Sequence, residues 1–378
     1  MKRAIKTLVR HARPTSKRHD RVQVLVPKGS VADSYLFAIG GDGHKLTILE
    51  QEMDVPWADL APLHTVVAKY LPPVVIASPA LAVASLSIPI VFDRMNPSAR
   101  VSVNEFQAVL KKLQVSLWAE HRDRIAEALG VEPIDAVLAM FRIESVQVAG
   151  SEVLNPAELT GSPVELHVLV RFVSRDTFER AREATPAPYF ADPAWSLVYG
   201  HGAVGSEVLL AQSTPTVLVA DRGARSSIHE IVRIPLTWAP ADVSREIELR
   251  WGLSRNAAAS VLDHHVAGIS AGSVHEALHA ATKAPRTALD SELRGLGVKE
   301  HMLVASDVAL PDSKGAGAIK LEPLDARATL RATGLEFEGE ASILALAALA
   351  EFYYSERYSE LNAWLRQRIA WLGTTSST

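Results

Sequence analysis

The chain has 378 residues, 48% hydrophobic and 22% charged, which is ordinary globular composition at a length that fits two domains or one large two-lobed body rather than a single small domain. Cysteine is absent, so disulfides, thiolate metal sites and cysteine nucleophiles are excluded together. The net charge of −4 hides an asymmetry: residues 1–21 carry Lys2, Arg3, Lys6, Arg10, Arg13, Lys17, Arg18 and Arg21 against Asp20, a balance of +7 that leaves the remainder at −11. A basic arm on an acidic body, without interleaved aromatics and cations elsewhere, argues against a nucleic-acid-binding domain.

In chain order, the arm comes first, with Ile5, Leu8, Val9 and Ala12 at helical spacing and no long apolar stretch of the secretory kind behind it. VQVLV (22–26) and SYLFAIG (34–40) read as strands, and GGDGH as a turn before a third strand, KLTILEQE. A short helix is expected near 59–69, then the buried strand VVIAS. The uncharged stretch 70–92 is long enough to span a bilayer, but Pro72, Pro73, Pro79 and Pro89 break it, so strands and turns are expected and no transmembrane segment. SVNEFQAVLKKLQVSLWAEHRDRIAEAL reads as a long amphipathic helix with Ser102 as N-cap and Glu105 three residues on. VLAMFRIESVQVAG and VELHVLVRFV follow as strands, and SRDTFERAREA as a helix.

A second large unit starts near residue 204. TVLVADRGARSSIHEIVRIPL reads as strand, polar loop, strand. PADVSREIELRWGLSRNAAASVLDHHVAG reads as helix, turn, helix, with Asp242 or Ser244 as caps and Gly252 as the break. Residues 285–296 are helical, HMLVAS is a strand, and EASILALAALAEFYY is an apolar helix. No internal sequence repeat is visible. At the end, Leu361, Trp364, Leu365, Ile369, Trp371 and Leu372 share one side of a helix, with Arg366 on the other. Such a helix either docks on the body or lies in a membrane interface, with Trp at headgroup level and Arg near anionic lipid.

Two segments carry candidate chemistry. HEALH (275–279) has the spacing that sets two zinc-binding imidazoles on one helix face, with Glu276 as general base on zinc-bound water, but no third ligand follows at a metzincin-like distance. DRGARSSIHEI (221–231) and PKGSVADS (27–34) are strand–turn–strand segments of the kind that presents backbone N–H groups to phosphate.

With the later segment SDVALPD (306–312), these two hairpins resemble the nucleotide-clamping loops of the actin-like ATPases, and within them the FtsA cell-division proteins. The resemblance implies an α/β, two-lobed fold with a small α+β module in the first lobe. Residues 22–95 would begin the first lobe, 96–185 form the module, and 186–204 return to the lobe. The second lobe would have its sheet at 205–236, a helical subdomain at 237–300 and its end at 301–357, leaving 1–21 as the arm and 358–378 as the amphipathic tail. FRIESVQVAGSEVLNPAELTGSPVELHVLVRF resembles the module's strand–loop–strand with its Asn-Pro and Gly.

The resemblance places Gly29, Ser30, Asp221, Gly223, Ser226 and Ser227 at nucleotide-binding positions. It also implies departures: Pro27 stands where the metal-associated acid belongs, Ala224 and Arg225 replace glycines, and Ser306, Asp307 and Asp312 replace the glycines of the adenosine loop. The expectation is weak or absent binding of ATP and magnesium, and a scaffold rather than an enzyme. Its partners would be anionic lipid on the cytoplasmic face of a bacterial inner membrane, through Leu361, Trp364, Leu365, Arg366, Ile369, Trp371 and Leu372, an FtsZ-like C-terminal peptide or another divisome protein, and further copies in a polymer. The alternatives are a PilM-like pilus scaffold, which needs no anchoring tail, a zinc peptidase, or a working ATPase.

Overall fold

The computed structural model describes residues 21–40, 44–60, 73–79, 82–153, 159–185, 188–200, 207–211, 215–222, 228–270, 272–307, 310, 318–325, 327, 330–331 and 334–354. Contacts divide the chain into a first unit of residues 1–193, 333–339 and 348–378, and a second of 194–332 and 340–347.

The first unit opens with an antiparallel meander of β1 (Arg21–Lys28), β2 (Val31–Ile39) and β3 (Lys45–Pro56), followed by α1 (Trp57–Leu60). Val22, Val24, Leu25 and Val26 are all buried, so β1 is covered on both faces, as a central strand is. β4 (Val74–Ala77), buried at every residue, pairs parallel with β1, and β9 (Tyr189–Ala191) pairs parallel with β4. The stretch expected to break into strands does so: β4 is followed by β5 (Val83–Phe92), with Ser85 and Ser87 buried. With β15 (Glu336–Phe337) beside the start of β3, the order is β15-β3-β2-β1-β4-β9.

A second sheet in this unit runs β5-β8-β6-β7, all antiparallel, through β6 (Ala136–Val148), β7 (Ser151–Glu152) and β8 (Val164–Ser174). Helix α2 (Val103–Leu129) packs Leu117 and Ile125 against Ile143, Val168 and Val170. It starts where expected. The Ser102 hydroxyl accepts the Glu105 N–H at 3.2 Å, and the Glu105 carboxylate accepts the Ser102 N–H at 2.8 Å. Arg94 secures this start from outside the helix: its fork meets both Glu105 oxygens at 3.2 Å and donates to the carbonyls of Ala99, Arg100 and Gly161. Those bonds hold the Glu105 carboxyl below its ordinary range, the Ser102 N–H adding to them. Helix α3 (Arg175–Ala184) starts on Ser174, whose hydroxyl accepts the Thr177 N–H.

After α4 (Pro193–Gly200), the second unit has β10 (Val208–Ala211), β11 (Thr216–Arg222) and β12 (Ile228–Pro235) as another antiparallel meander. Helices α5 (Pro240–Trp251), α6 (Arg255–Val266) and α7 (Gly272–Gly295) follow, then β13 (His301–Ser306), parallel to β10, and β14 (Lys320–Pro323), parallel to β13. The order here is β14-β13-β10-β11-β12. Both units therefore set a three-strand meander beside two further strands parallel to its first strand. That arrangement, twice in one chain, is the α/β actin-like fold. The core of the second unit joins Trp238, Val243, Ile247, Leu262, Leu278, Leu289 and Leu293 of the helical region to Leu209, Val217 and Met302 of the sheet. Asp242 is not the cap of α5. Ala239 holds that position, and Asp242 accepts the Ala239 N–H at 3.0 Å from the third residue of the helix. Residues 285–296 do not begin a helix either, since α7 runs through Pro285 without a break.

Helix α8 (Ile343–Tyr354) carries Glu351 into a buried polar cluster of the first unit. Glu351 accepts from Arg171, from the Tyr189 hydroxyl at 2.9 Å, from the Asp192 N–H at 2.9 Å and from Arg142 at 3.5 Å. Arg171 also donates to Ser85 at 3.0 Å and to the Phe190 carbonyl at 2.8 Å, and Ser85 donates to Asp192 at 2.6 Å. Burial alone would drive both guanidiniums towards neutrality. Glu351 foremost for Arg171, and Tyr189, Glu144 and Glu351 for Arg142, outweigh it and raise both pKa values.

Candidate functional site

Gly29 and Ser30 are the two central residues of the β1–β2 hairpin, with Lys28 paired to Val31 on either side. Gly29 has φ +71°, the conformation that the first central position of a II′ turn requires and that a side chain resists. The turn is tied down from three sides. The Trp57 indole donates to the Gly29 carbonyl at 3.2 Å, Arg180 donates to the same oxygen at 3.1 Å, and Lys28 bridges Asp33 at 2.8 Å and Asp54 at 3.3 Å. Burial works against the Lys28 charge, but the two carboxylates outweigh it and its pKa stands above the ordinary value. Two residues between paired strands offer at most two loop N–H groups, and Pro27, paired to Ala32 in β1, supplies none. A phosphate cradle uses several consecutive N–H groups, and this turn is too short to make one by itself.

In the second unit the strand order separates two loops that look alike in sequence. The place of Gly29 and Ser30, between the first and second strands of the meander, falls in the second unit between Ala211 and Thr216. Asp221 lies near the end of the second strand, paired with Glu230 beside a bulge, and residues 223–227 join the second strand to the third. Gly223, Ser226 and Ser227 lie outside the described residues, as does Asp312. Asp307 is described, and both its oxygens are engaged: it accepts the Ser342 hydroxyl at 2.7 Å and the Ile343 N–H at 2.6 Å. It serves the N-terminus of α8, where a negative charge is favoured, and is not held towards a loop. Neither this role nor those of Trp57 and Arg180 has a local signal in sequence, since each partner is far along the chain.

A groove of about 740 Å³ lies between α5 and α7. Thr237, Trp238, Asp242, Arg245, Glu246 and Leu249 line one wall, and Ala284, Pro285, Ala288, Ser291 and Glu292 the other. The sequence builds it from two stripes at helical spacing, long side chains on α5 facing small ones on α7. Trp238 is 5% exposed, whereas Leu249, on the rim, is 73% exposed. Glu292 fastens the chain entering α5: it accepts the N–H groups of Thr237 and Trp238 at 3.1 and 3.2 Å, and the Thr237 hydroxyl. Arg245 and Leu249, one turn apart and exposed, are left to meet a ligand with a carboxylate and an apolar side chain.

HEALH falls on α7. His275 lies 4.7 Å from His265 of α6, ring centre to ring centre, and His265 Nδ1 is 3.1 Å from the Ser270 hydroxyl. Among the described residues no three His, Asp or Glu side chains stand close enough to share a metal ion. None of the described helices is long and apolar enough to cross a membrane. Leu361, Trp364, Leu365, Arg366, Ile369, Trp371 and Leu372 lie outside the described residues.

No protein-family model and no curated protein sequence matches the chain. Among solved structures it is similar to a PilM–PilN type IV pilus biogenesis complex at 16% identity, over 89% of this chain and 99% of that one, with a TM-score of 0.48. A Bacteroides thetaiotaomicron protein with an actin-like ATPase fold and unknown function is similar at 9% identity, over 63% and 79%, with a TM-score of 0.31. A Balamuthia mandrillaris glucokinase in complex with glucose is similar at 11% identity, over 94% and 99%, with a TM-score of 0.31. These likenesses are distant, and the fold stands on the strand orders given above.

Proposed function

We propose that this protein is a scaffold on an actin-like fold, holding a peptide of a protein partner at a membrane surface, with ATP and magnesium bound weakly or not at all. The groove between α5 and α7 carries the reading. It is a concave site in the helical segment 237–300, where the resemblance to FtsA places the docking of an FtsZ-like C-terminal peptide, and its rim offers Leu249 as an apolar contact and Arg245 as a cation. A short peptide with one apolar anchor and a carboxylate fits that chemistry. The tied, two-residue hairpin at Gly29 and the substitution by Pro27 support the weak-nucleotide half of the proposal.

Membrane attachment is proposed through Leu361, Trp364, Leu365, Arg366, Ile369, Trp371 and Leu372. One amphipathic helix binds marginally, so a second contact or avidity in a polymer would have to make attachment stable. The test has two arms. An FtsZ-type C-terminal peptide, fluorescently labelled, is titrated into the full chain and into Leu249→Glu and Arg245→Glu variants; a loss of at least tenfold in both, with unchanged thermal stability, is the expected result. Failure of the unmodified chain to bind that peptide ends the division-scaffold reading. Co-sedimentation with anionic vesicles then tests the tail. A chain truncated after Tyr358 should stay in the supernatant while the full chain pellets, and equal behaviour would move the assignment to a pilus-type scaffold that needs no anchor.

A further inference from the structure

The helices of the second unit set two imidazoles side by side, and they are not the pair that the sequence spacing offers. HEALH puts His275 and His279 one turn apart on α7. The ring that the fold brings to His275 is instead His265 of α6, with ring centres 4.7 Å apart and planes inclined by 47°. His265 is 8% exposed and His275 is half-buried.

His265 is held from the backbone outwards. Gly268, at φ +73°, closes α6: its N–H donates to the His265 carbonyl at 3.0 Å, and the Ile269 N–H donates to the His264 carbonyl at 2.9 Å. These are the two bonds of a Schellman end. The ring is fixed as well, its Nδ1 standing 3.1 Å from the Ser270 hydroxyl. With that oxygen accepting from Nδ1–H, the ring lone pair lies on Nε2. An outer hydrogen bond of this kind is what orients a metal-binding imidazole.

The spacing fits one shared ion. At a metal–nitrogen distance of about 2.1 Å a ring centre lies roughly 3.2 Å from the ion, so two imidazoles have centres roughly 4.5 Å apart at a right angle and roughly 5.2 Å apart at the tetrahedral angle. The observed 4.7 Å falls between them. Favoured aromatic contacts are offset-stacked or edge-to-face, and a tilt of 47° is neither. Two imidazole nitrogens select zinc, nickel or copper over magnesium or calcium, which take oxygen ligands.

We propose that His265 and His275 together bind one divalent transition-metal ion of the zinc class, with water in the remaining positions. The ion joins the end of α6 to the first turn of α7, and Ser270 is a positioning residue that orients His265. This is a clip between helices, and His279 takes no part in it, so it is not a peptidase centre built on HEALH.

Zinc titrated calorimetrically into the full chain, purified without a histidine tag, tests this. One tight site per chain should appear, and the melting temperature should rise with zinc because the folded protein alone brings the two rings together. His275→Ala should weaken binding at least tenfold and abolish that rise. His265→Gln should do the same, and Ser270→Ala should weaken binding about tenfold. His279→Ala should bind as the parent does. Absence of zinc binding by the parent overturns the proposal, and so does unchanged binding in His275→Ala. Loss of binding in His279→Ala overturns it too, by giving the ion to the two histidines of HEALH. Where His265→Gln fails to fold, His275→Ala and His279→Ala decide the outcome.

Discussion

Two sheets of the same strand order sit on different kinds of core. In the first unit the region around β8 and β9 is organised by charge: Arg171, wholly buried, and Arg142 converge on Glu351, which comes from another part of the chain, with Asp192 and Ser85 completing the set. The second unit is organised by apolar side chains under Trp238, and its buried pair, Arg286 and Asp290 at 3.0 Å, belongs to one helix turn. The difference concerns specificity. A charge whose partners come from distant segments is satisfied in one arrangement of those segments, whereas a pair four residues apart forms wherever the helix forms.

The comparison can be broken most easily where the expected effects are largest. Glu351→Ala leaves two buried guanidiniums without their shared carboxylate and should cost about 3–5 kcal/mol in denaturant unfolding. Replacing Arg171 as well should restore little, because Arg142, Asp192 and Ser85 keep their unmet bonds. The corresponding double change in the second unit, Arg286→Met with Asp290→Leu, should stay within about 1.5 kcal/mol of the parent. Equal losses in the two units would refute the contrast.

Ser102→Ala removes one half of the α2 capping box and should cost about 1 kcal/mol by the same measurement. The other half depends on pH in a direction that can be worked out. Arg94 and the Ser102 N–H hold the Glu105 carboxyl below its unfolded value of about 4.3, so its contribution is present above that pH and is lost as pH falls through the lower folded value. The stability gap between the parent and Glu105→Gln should therefore be open at pH 7 and narrow towards pH 3. Smallest of all, Arg331→Ala breaks an exposed contact with Asp325 and should change stability by less than about 0.5 kcal/mol.

Much of this architecture is legible in the sequence wherever the signal is local. Ser102 with Glu105, Ser174 before α3, Gly252 after α5 and the proline-broken stretch before β5 all do what their neighbours lead one to expect. The repeat of the strand order is not legible, because no residues recur; only the pairing does. β10 is four residues long and fully buried, too short for any alternation to show, and missing it shifts the count so that Asp221 looks like the end of a first strand when it ends a second. Pro285 reads as a helix boundary, yet α7 tolerates it. Arg171 falls inside the strand read from VELHVLVRFV, but nothing local in the sequence marks its charge as wholly buried. Its partner is 180 residues away.

That separation also bears on how the protein is made. Arg142 and Arg171 leave the ribosome long before Glu351 exists, and at 5–20 residues per second the interval before the carboxylate follows Arg171 is roughly 10–40 s. During that time the strands of the first unit can pair, and Glu144 and Asp192 are already present, but the carboxylate that meets both Arg142 and Arg171 is still missing. The whole of the second unit, residues 194–332 and 340–347, is synthesised within the same interval. The unit that begins first at the N-terminus is therefore completed last.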